Sequence, residues 1–346
     1  MTARRTDAPV VDAHVHIIVP QITRDRGPEP WRPTVARDGD RQRIEIGGVE
    51  VRSVRHEFVN PEGLLAETAA AGSDRVVLCP FVGLLRYDAD PHDALESGGI
   101  QNAALASLVR AHSGRVAALG TVPLQDPELA ARELEAVANL GLAGVEIAAS
   151  VRGAYLGDDR FRPFWEAAAA LGSVVFIHPT TRGFDNPAFS RHHLGNAVGN
   201  PLETTITAAD LVMGGLLESF PSLRIVLAHG GGAVLALRGR LRHAYEEVPA
   251  ARARLEMPPD ESLRRFYYDT IVHDVTLLRQ LVEYAGADHV VMGSDYPFDM
   301  GVERPADQVR AAHISPDDER RVLGGTADQL LSGGACRARR FSPQPE

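Results

Sequence analysis

Lysine is missing from this sequence: all 36 lysine-plus-arginine positions among its 346 residues are arginine. That excludes a Schiff-base lysine, a lysine general base and a carboxylated lysine bridging two metals, so a metal site on this chain most simply holds one ion. Cysteine is scarce too. Cys79 and Cys336 lie far apart and outside any Cys-X-X-Cys, which leaves neither a disulfide framework nor a thiolate zinc site. Any metal must be held by nitrogen and oxygen. No apolar stretch is long enough for a signal peptide or a membrane span, so a cytoplasmic protein without a membrane partner is expected. Positive charge is in deficit, with a formal net charge of -10, which argues against an electrostatic grip on nucleic acid or an anionic membrane surface.

What is present suits a large soluble core, with 44% hydrophobic and 24% charged residues. Apolar runs of strand length fall at Val10 to Ile17, Arg75 to Pro80, Val116 to Val122, Gly144 to Ala148, Ser173 to His178, Arg224 to His229, Arg265 to Ile271 and His289 to Ser294. Helix-like segments lie between them, among them Pro127 to Leu140, Phe161 to Leu171, Pro201 to Phe220 and Asp274 to Ala285. Several open with proline or follow an Asp or Asn able to cap them. Strand and helix alternating about eight times, with near-continuous Val, Ile and Leu in the strands, predicts an α/β fold of the (β/α)₈ TIM-barrel type. An open doubly wound sheet is the alternative, but the Gly-X-Gly-X-X-Gly expected after its first strand is missing.

Residues 1–332 read as one barrel domain carrying an insertion over 19–60, and 333–346 as a frayed tail. Within the insertion, Arg43 to Val51 alternates around Gly47-Gly48 and predicts a β-hairpin. The connection from Pro179 to Asn200 is polar and follows the fifth strand. Long connections at the C-terminal side of barrel strands build active-site rims, while a plain solvated excursion is the other reading.

Polar residues at the C-terminal ends of barrel strands converge on one mouth. The first strand ends in His14-Val15-His16, whose two imidazoles share a face because side chains alternate along a strand. The fifth ends in His178, the sixth in Ala228-His229-Gly230-Gly231-Gly232 and the eighth in Gly293-Ser294-Asp295-Tyr296-Pro297. Under the barrel reading, His14, His16, His178 and Asp295 are assigned as ligands of one divalent ion, with Zn²⁺ the expected cofactor. His229 is then left for proton transfer. Asp12 shares the parity of His14 and His16, and either orients a ligand or fills the barrel interior.

These motifs, with Thr121 to Asp126 after the third strand and Gly239-Arg240 after the glycine triplet, resemble the amidohydrolase superfamily, and within it the branch typified by aminocarboxymuconate-semialdehyde decarboxylase. The similarity spans nearly the whole chain. It implies a barrel holding one metal on the residues matching His14, His16, His178 and Asp295, with the residue matching His229 as acid/base. It also implies two substrate-carboxylate arginines, best matched by Arg52 in the insertion and by Arg240, the latter reaching across the interface of a homodimer. A hairpin-edge and a solvated helix arginine are the plainer readings of the two. Phe298, beside Asp295, is expected either to form an apolar wall of the substrate site or to pack in the core.

The implied reaction is metal-dependent decarboxylation of a small unsaturated or aromatic carboxylic acid. The metal acidifies water, His229 accepts a proton, and the arginines fix the carboxylates. The same chemistry can open a lactone, ester or amide, so a mononuclear hydrolase is the alternative, with a hydratase of the same branch as a third. No Gly-X-Ser-X-Gly supports a serine nucleophile. A metal-binding but inactive scaffold is disfavoured, since a structural site has no use for His229. Thr180 stands where aminocarboxymuconate-semialdehyde decarboxylase has tryptophan, and Arg182 to Asn186 departs as well. His192 and His193 lie in that divergent stretch as substrate contacts or as solvated loop residues. A changed substrate with retained chemistry is the expectation.

Overall fold

A computed structural model describes residues 8–46, 49–180 and 186–338, without the side chains of residues 49, 51–53 and 333–338. Eight parallel strands organise it: β1 (Val11–Ile17), β2 (Arg75–Pro80), β3 (Val116–Ala118), β4 (Gly144–Ala148), β5 (Val174–His178), β6 (Arg224–Leu227), β7 (Tyr267–Asp269) and β8 (Val290–Val291). Strands β1 to β3 form one sheet and β4 to β8 another. The sheets meet at both edges through parallel bridges, Gly120 with Val145 and Val15 with Tyr296. The strands thereby join in sequence order as the expected TIM barrel.

Strand parity sets the two faces. On β5, Val174 and Phe176 enter an inner cluster with Val77, Cys79, Val226 and Ala228, while Val175 and Ile177 pack outward in the larger core. His178 is the next inward position on β5. Ala327 and Leu330, from the C-terminal helix Thr326–Ala338, join the inner cluster. That helix runs past residue 332, where the sequence pointed to a tail. The outer layer buries Phe164, Trp165, Phe266 and Tyr268 completely, each contributing about 1.5–3 kcal/mol by burial.

Helices start where the sequence offers caps. Asp126 accepts from Leu129 N at 3.0 Å and Asp274 from Leu277 N at 2.8 Å, opening Pro127–Asn139 and Val275–Ala285. The single helix expected over Pro201 to Phe220 is instead two, Asn200–Met213 and Leu216–Ser219. Gly215 breaks it at φ +74°, with Arg254 O 2.5 Å from where a Cβ would sit.

The insertion is a three-stranded antiparallel sheet, Thr34–Asp38, Arg41–Ile46 and Val49–Val54. The predicted hairpin is its second and third strands, and Gly47-Gly48 lies outside the described residues. The additional first strand is tied by the two-residue turn Gly39-Asp40, with Gly39 at φ +64°. Among the described residues no helix is long and apolar enough to cross a membrane.

Candidate metal centre and active site

His14, His16, His178 and Asp295 come together, and their candidate ligand atoms all lie within 4.8 Å of one another. All four residues are buried. Hydrogen bonds determine which ring nitrogens face the centre. His14 Nδ1 pairs with Asp269 Oδ2 at 2.8 Å, His16 Nδ1 with Pro80 O at 3.1 Å, and His178 Nδ1 with Pro179 O at 2.8 Å. Each acceptor is a carbonyl or carboxylate oxygen, so each Nδ1 donates and each neutral imidazole keeps its lone pair on Nε2.

Those lone pairs then face one another. His14 Nε2 and His16 Nε2 are 2.9 Å apart, and Asp295 Oδ1 stands 3.1 Å from His16 Nε2, 3.4 Å from His14 Nε2 and 3.7 Å from His178 Nε2. Among the described residues no hydrogen bond satisfies His178 Nε2 or Asp295 Oδ1. Three lone pairs and a carboxylate oxygen at such spacing, away from water, repel unless a cation lies among them. The donor set therefore fits a divalent ion, and three nitrogens with one oxygen suit zinc or a similar metal. Burial pushes His178 down to about 3, which keeps its imidazole neutral as a ligand must be.

Backbone geometry delivers the remaining groups. His229 sits at φ +56° in a turn that continues through Gly230, Gly231 and Gly232, all at positive φ. A Cβ at Gly232 would lie 2.0 Å from Pro201 O, and one at Gly230 would lie 2.3 Å from Val272 Cγ1; only glycine allows the turn to pass so close. The turn brings His229 Nε2 to 3.4 Å from Asp295 Oδ2, while His229 Nδ1 is buried with no hydrogen-bond partner among the described residues. Burial disfavours the imidazolium of His229, but the hydrogen bond and charge of Asp295, together with the charge of Asp269, outweigh it and raise its pKa. Asp295 also has positive φ, +58°. It is held by His14 O, which accepts from Asp295 N at 2.9 Å.

Asp12 resolves toward a positioning part. Its Oδ1 accepts from His14 N at 3.2 Å and from Ser294 N at 3.0 Å, joining β1 to the segment that carries Asp295. Phe298 is buried, its ring packed edge-on against His16 at 4.9 Å and near Phe58 and Phe81 at 5.5 and 6.0 Å. Arg52 lies on the third insertion strand opposite Ile44, and its side chain is outside what is described. Arg240 is exposed on the helix Val234–Glu247, and among the described residues no hydrogen bond or ion pair engages it. His192 and His193 are exposed, at φ +53° and +59°.

Sequence reasoning does not single out the buried acids Asp269 and Glu146 beside the centre. Asp269 ends β7, where a polar residue at a strand's C-terminal end is the signal that located the other site residues. Besides holding His14, it accepts through Oδ1 from Gly230 N at 2.9 Å, which ties it to the His229 turn. Glu146, a charge inside the apolar run of β4, has Oε1 3.7 Å from His16 Nδ1 and no hydrogen-bond partner for either oxygen among the described residues. Burial pushes its carboxyl up to about 8. Beside the centre lies a cavity of about 190 Å³, lined by His229, Asp295, Ile271, Val272, Leu277 and Met300, with Asn196 and His273 among its polar lining.

Comparison with known proteins shows the family and the fold. A family model described as amidohydrolase matches residues 11–332. Over 328 residues the chain is 30% identical to the 2-amino-3-carboxymuconate-6-semialdehyde decarboxylase of Dictyostelium discoideum, covering 93% of this chain and 91% of that protein. Among solved structures, 5-carboxyvanillate decarboxylase from Sphingomonas paucimobilis superposes with a TM-score of 0.78 at 27% identity, over 94% of this chain and 99% of that one. A dihydroxybenzoic acid decarboxylase from Polaromonas sp. JS666, solved with bound manganese and 2-nitroresorcinol, shares the fold at a TM-score of 0.74 and 23% identity, over 94% and 97% of the two chains.

Proposed function

The chain belongs to the amidohydrolase family, in the branch of the aminocarboxymuconate-semialdehyde decarboxylases, and we propose that it is a metal-dependent decarboxylase of a small unsaturated or aromatic carboxylic acid. The observation that carries this reading is the convergence of three Nε2 lone pairs and Asp295 Oδ1, with His229 left over beside them. His14, His16, His178 and Asp295 would hold the ion. We take zinc as that ion on the strength of the donor set. When bound, such an ion supplies concentrated positive charge for the substrate's oxygens and acidifies nearby water.

The protein's own groups do the rest. His229 takes a proton from the water that adds to the unsaturated carbon and returns one to carbon as the bond to the carboxylate breaks. The electron pair of that bond re-forms the double bond and expels the added hydroxide, carbon dioxide departs, and the returned proton is left on the carbon that carried the carboxylate. The cavity beside His229 offers the ring or chain apolar contacts from Ile271, Val272, Leu277 and Met300 and polar ones from Asn196 and His273. Phe298 forms the apolar wall next to His16.

Arg52 and Arg240 bind substrate carboxylates, a task that suits the planar, two-pronged guanidinium. Arg240 acts on the site of a second copy in a homodimer. Its helix, of which only Val234 and Leu235 are buried, leaves Leu237 and Arg240 facing outward, and this supports the assignment. We take the barrel, with its C-terminal helix Thr326–Ala338, as a single catalytic domain and the reducing cytoplasm as its compartment, in keeping with the buried free thiol of Cys79.

The test is carbon dioxide release from a panel of acids, among them 2-amino-3-carboxymuconate-6-semialdehyde, 5-carboxyvanillate and a dihydroxybenzoate. It is run on chelator-stripped protein and again after zinc or manganese is restored. Release from at least one acid, only with metal, is expected. A metal-loaded protein that opens lactones or esters but releases no carbon dioxide contradicts the proposal.

A further inference from the structure

We infer that Glu203 is a positioning residue for the metal ligand His178, acting through the peptide group that joins Pro179 to Thr180. Glu203 lies on the helix Asn200–Met213 and is completely buried. Its Oε2 accepts from Thr180 N at 2.7 Å and its Oε1 from Ser150 Oγ at 2.7 Å. The carbonyl of that same peptide group, Pro179 O, accepts from His178 Nδ1 at 2.8 Å. A carboxylate, a peptide group and an imidazole thus form one line of hydrogen bonds, at whose far end stands His178 Nε2, 3.7 Å from Asp295 Oδ1.

Proline makes the connection mechanical. Its ring fixes φ at residue 179, so the direction of the Pro179 carbonyl depends on ψ, the rotation of the peptide plane whose other end is the Thr180 N–H. By gripping that N–H, Glu203 aims the carbonyl at the imidazole. The carbonyl then keeps the proton on Nδ1 and the lone pair on Nε2. The negative charge acts in the same direction, since a peptide group hydrogen-bonded to an anion at its N–H is a stronger acceptor at its oxygen. His14 has its carboxylate, Asp269, in direct contact. For His178 a backbone peptide is interposed. The inference rests on reading His178 as a ligand, and its test separates the two.

Zinc affinity is measured by competition with a chromophoric chelator, and the melting temperature of the metal-stripped protein is measured alongside. Glu203→Gln keeps the shape and one acceptor but removes the charge. Zinc affinity is expected to fall about tenfold or more while the metal-stripped melting temperature stays within about 2 °C of wild type. Ser150→Ala, which removes a partner of the other oxygen, is expected to leave zinc affinity within about twofold, as a site outside the line to His178 would. If Glu203→Gln does not fold, Glu203→Asp, which keeps the charge but falls short of the Thr180 N–H, serves in its place with the same expectation for zinc. Wild-type zinc affinity in the variant, or an equal loss of zinc affinity in Ser150→Ala, overturns the positioning role. His178→Ala that still binds zinc as wild type does overturns the ligand assignment instead.

Discussion

Asp269 Oδ2 lies 2.8 Å from His14 Nδ1, with both side chains wholly buried. The same carboxylate accepts from Gly230 N, so the first ligand and the turn carrying His229 share one anchor. In Asp269→Asn the amide presents a weaker acceptor or a donor to His14, and the imidazole is free to move its proton to Nε2. Metal affinity is expected to fall 10- to 100-fold, on the order seen when such supporting groups are removed. Chelator competition checks it, and an unchanged dissociation constant would show that His14 needs no such support.

His229 is assigned to proton transfer and not to metal binding. His229→Asn should lower turnover by about 10²- to 10⁴-fold while elemental analysis still finds wild-type metal content. Loss of the metal along with turnover would move His229 into the ligand set.

Phe298 packs against His16, Phe58 and Phe81, joining the insertion to the metal centre. Phe298→Ala leaves a void there that costs about 3–5 kcal/mol, readable in denaturant unfolding of the metal-loaded protein. A loss below about 1 kcal/mol with an unchanged KM would contradict both its packing and its part in the substrate wall.

Arg240 extends from a helix with little else buried. Arg240→Ala and Arg52→Ala should each raise KM about tenfold or more, on the scale of a lost charge-assisted hydrogen bond. Mixed dimers distinguish how Arg240 acts. Pairing an Arg240→Ala chain with a His229→Asn chain restores one intact site if Arg240 crosses the interface. If it serves its own chain, neither site is intact and the mixed dimer keeps the raised KM of Arg240→Ala.

The barrel was legible because parallel strands buried on both faces read as apolar runs, and the site because histidines and an aspartate ended four of them. Asp269 escaped the same rule for a local reason. The run Arg265 to Ile271 puts it in mid-strand, whereas pairing ends at Asp269 itself. Thr34–Asp38 was missed because it is largely exposed and carries no apolar alternation; only Asp38-Gly39 marks its turn. Gly214-Gly215 announced the helix break that the periodicity of Pro201 to Phe220 obscured. Glu203 could not be found at all, since helical spacing says nothing of partners at Ser150 and Thr180. The glycines after His229 were visible as a run. Their reason, the Pro201 carbonyl at Gly232, is tertiary.

The central claim is that a carbon–carbon bond to a carboxylate breaks and a proton replaces it. Turnover of an accepted acid by the metal-loaded protein in D₂O enriched in ¹⁸O, followed by mass spectrometry and NMR of the product, tests this directly. The account predicts one carbon dioxide per turnover and one deuterium on the carbon that carried the carboxylate. A product that retains every carbon and gains ¹⁸O at an opened lactone, ester or amide would contradict it.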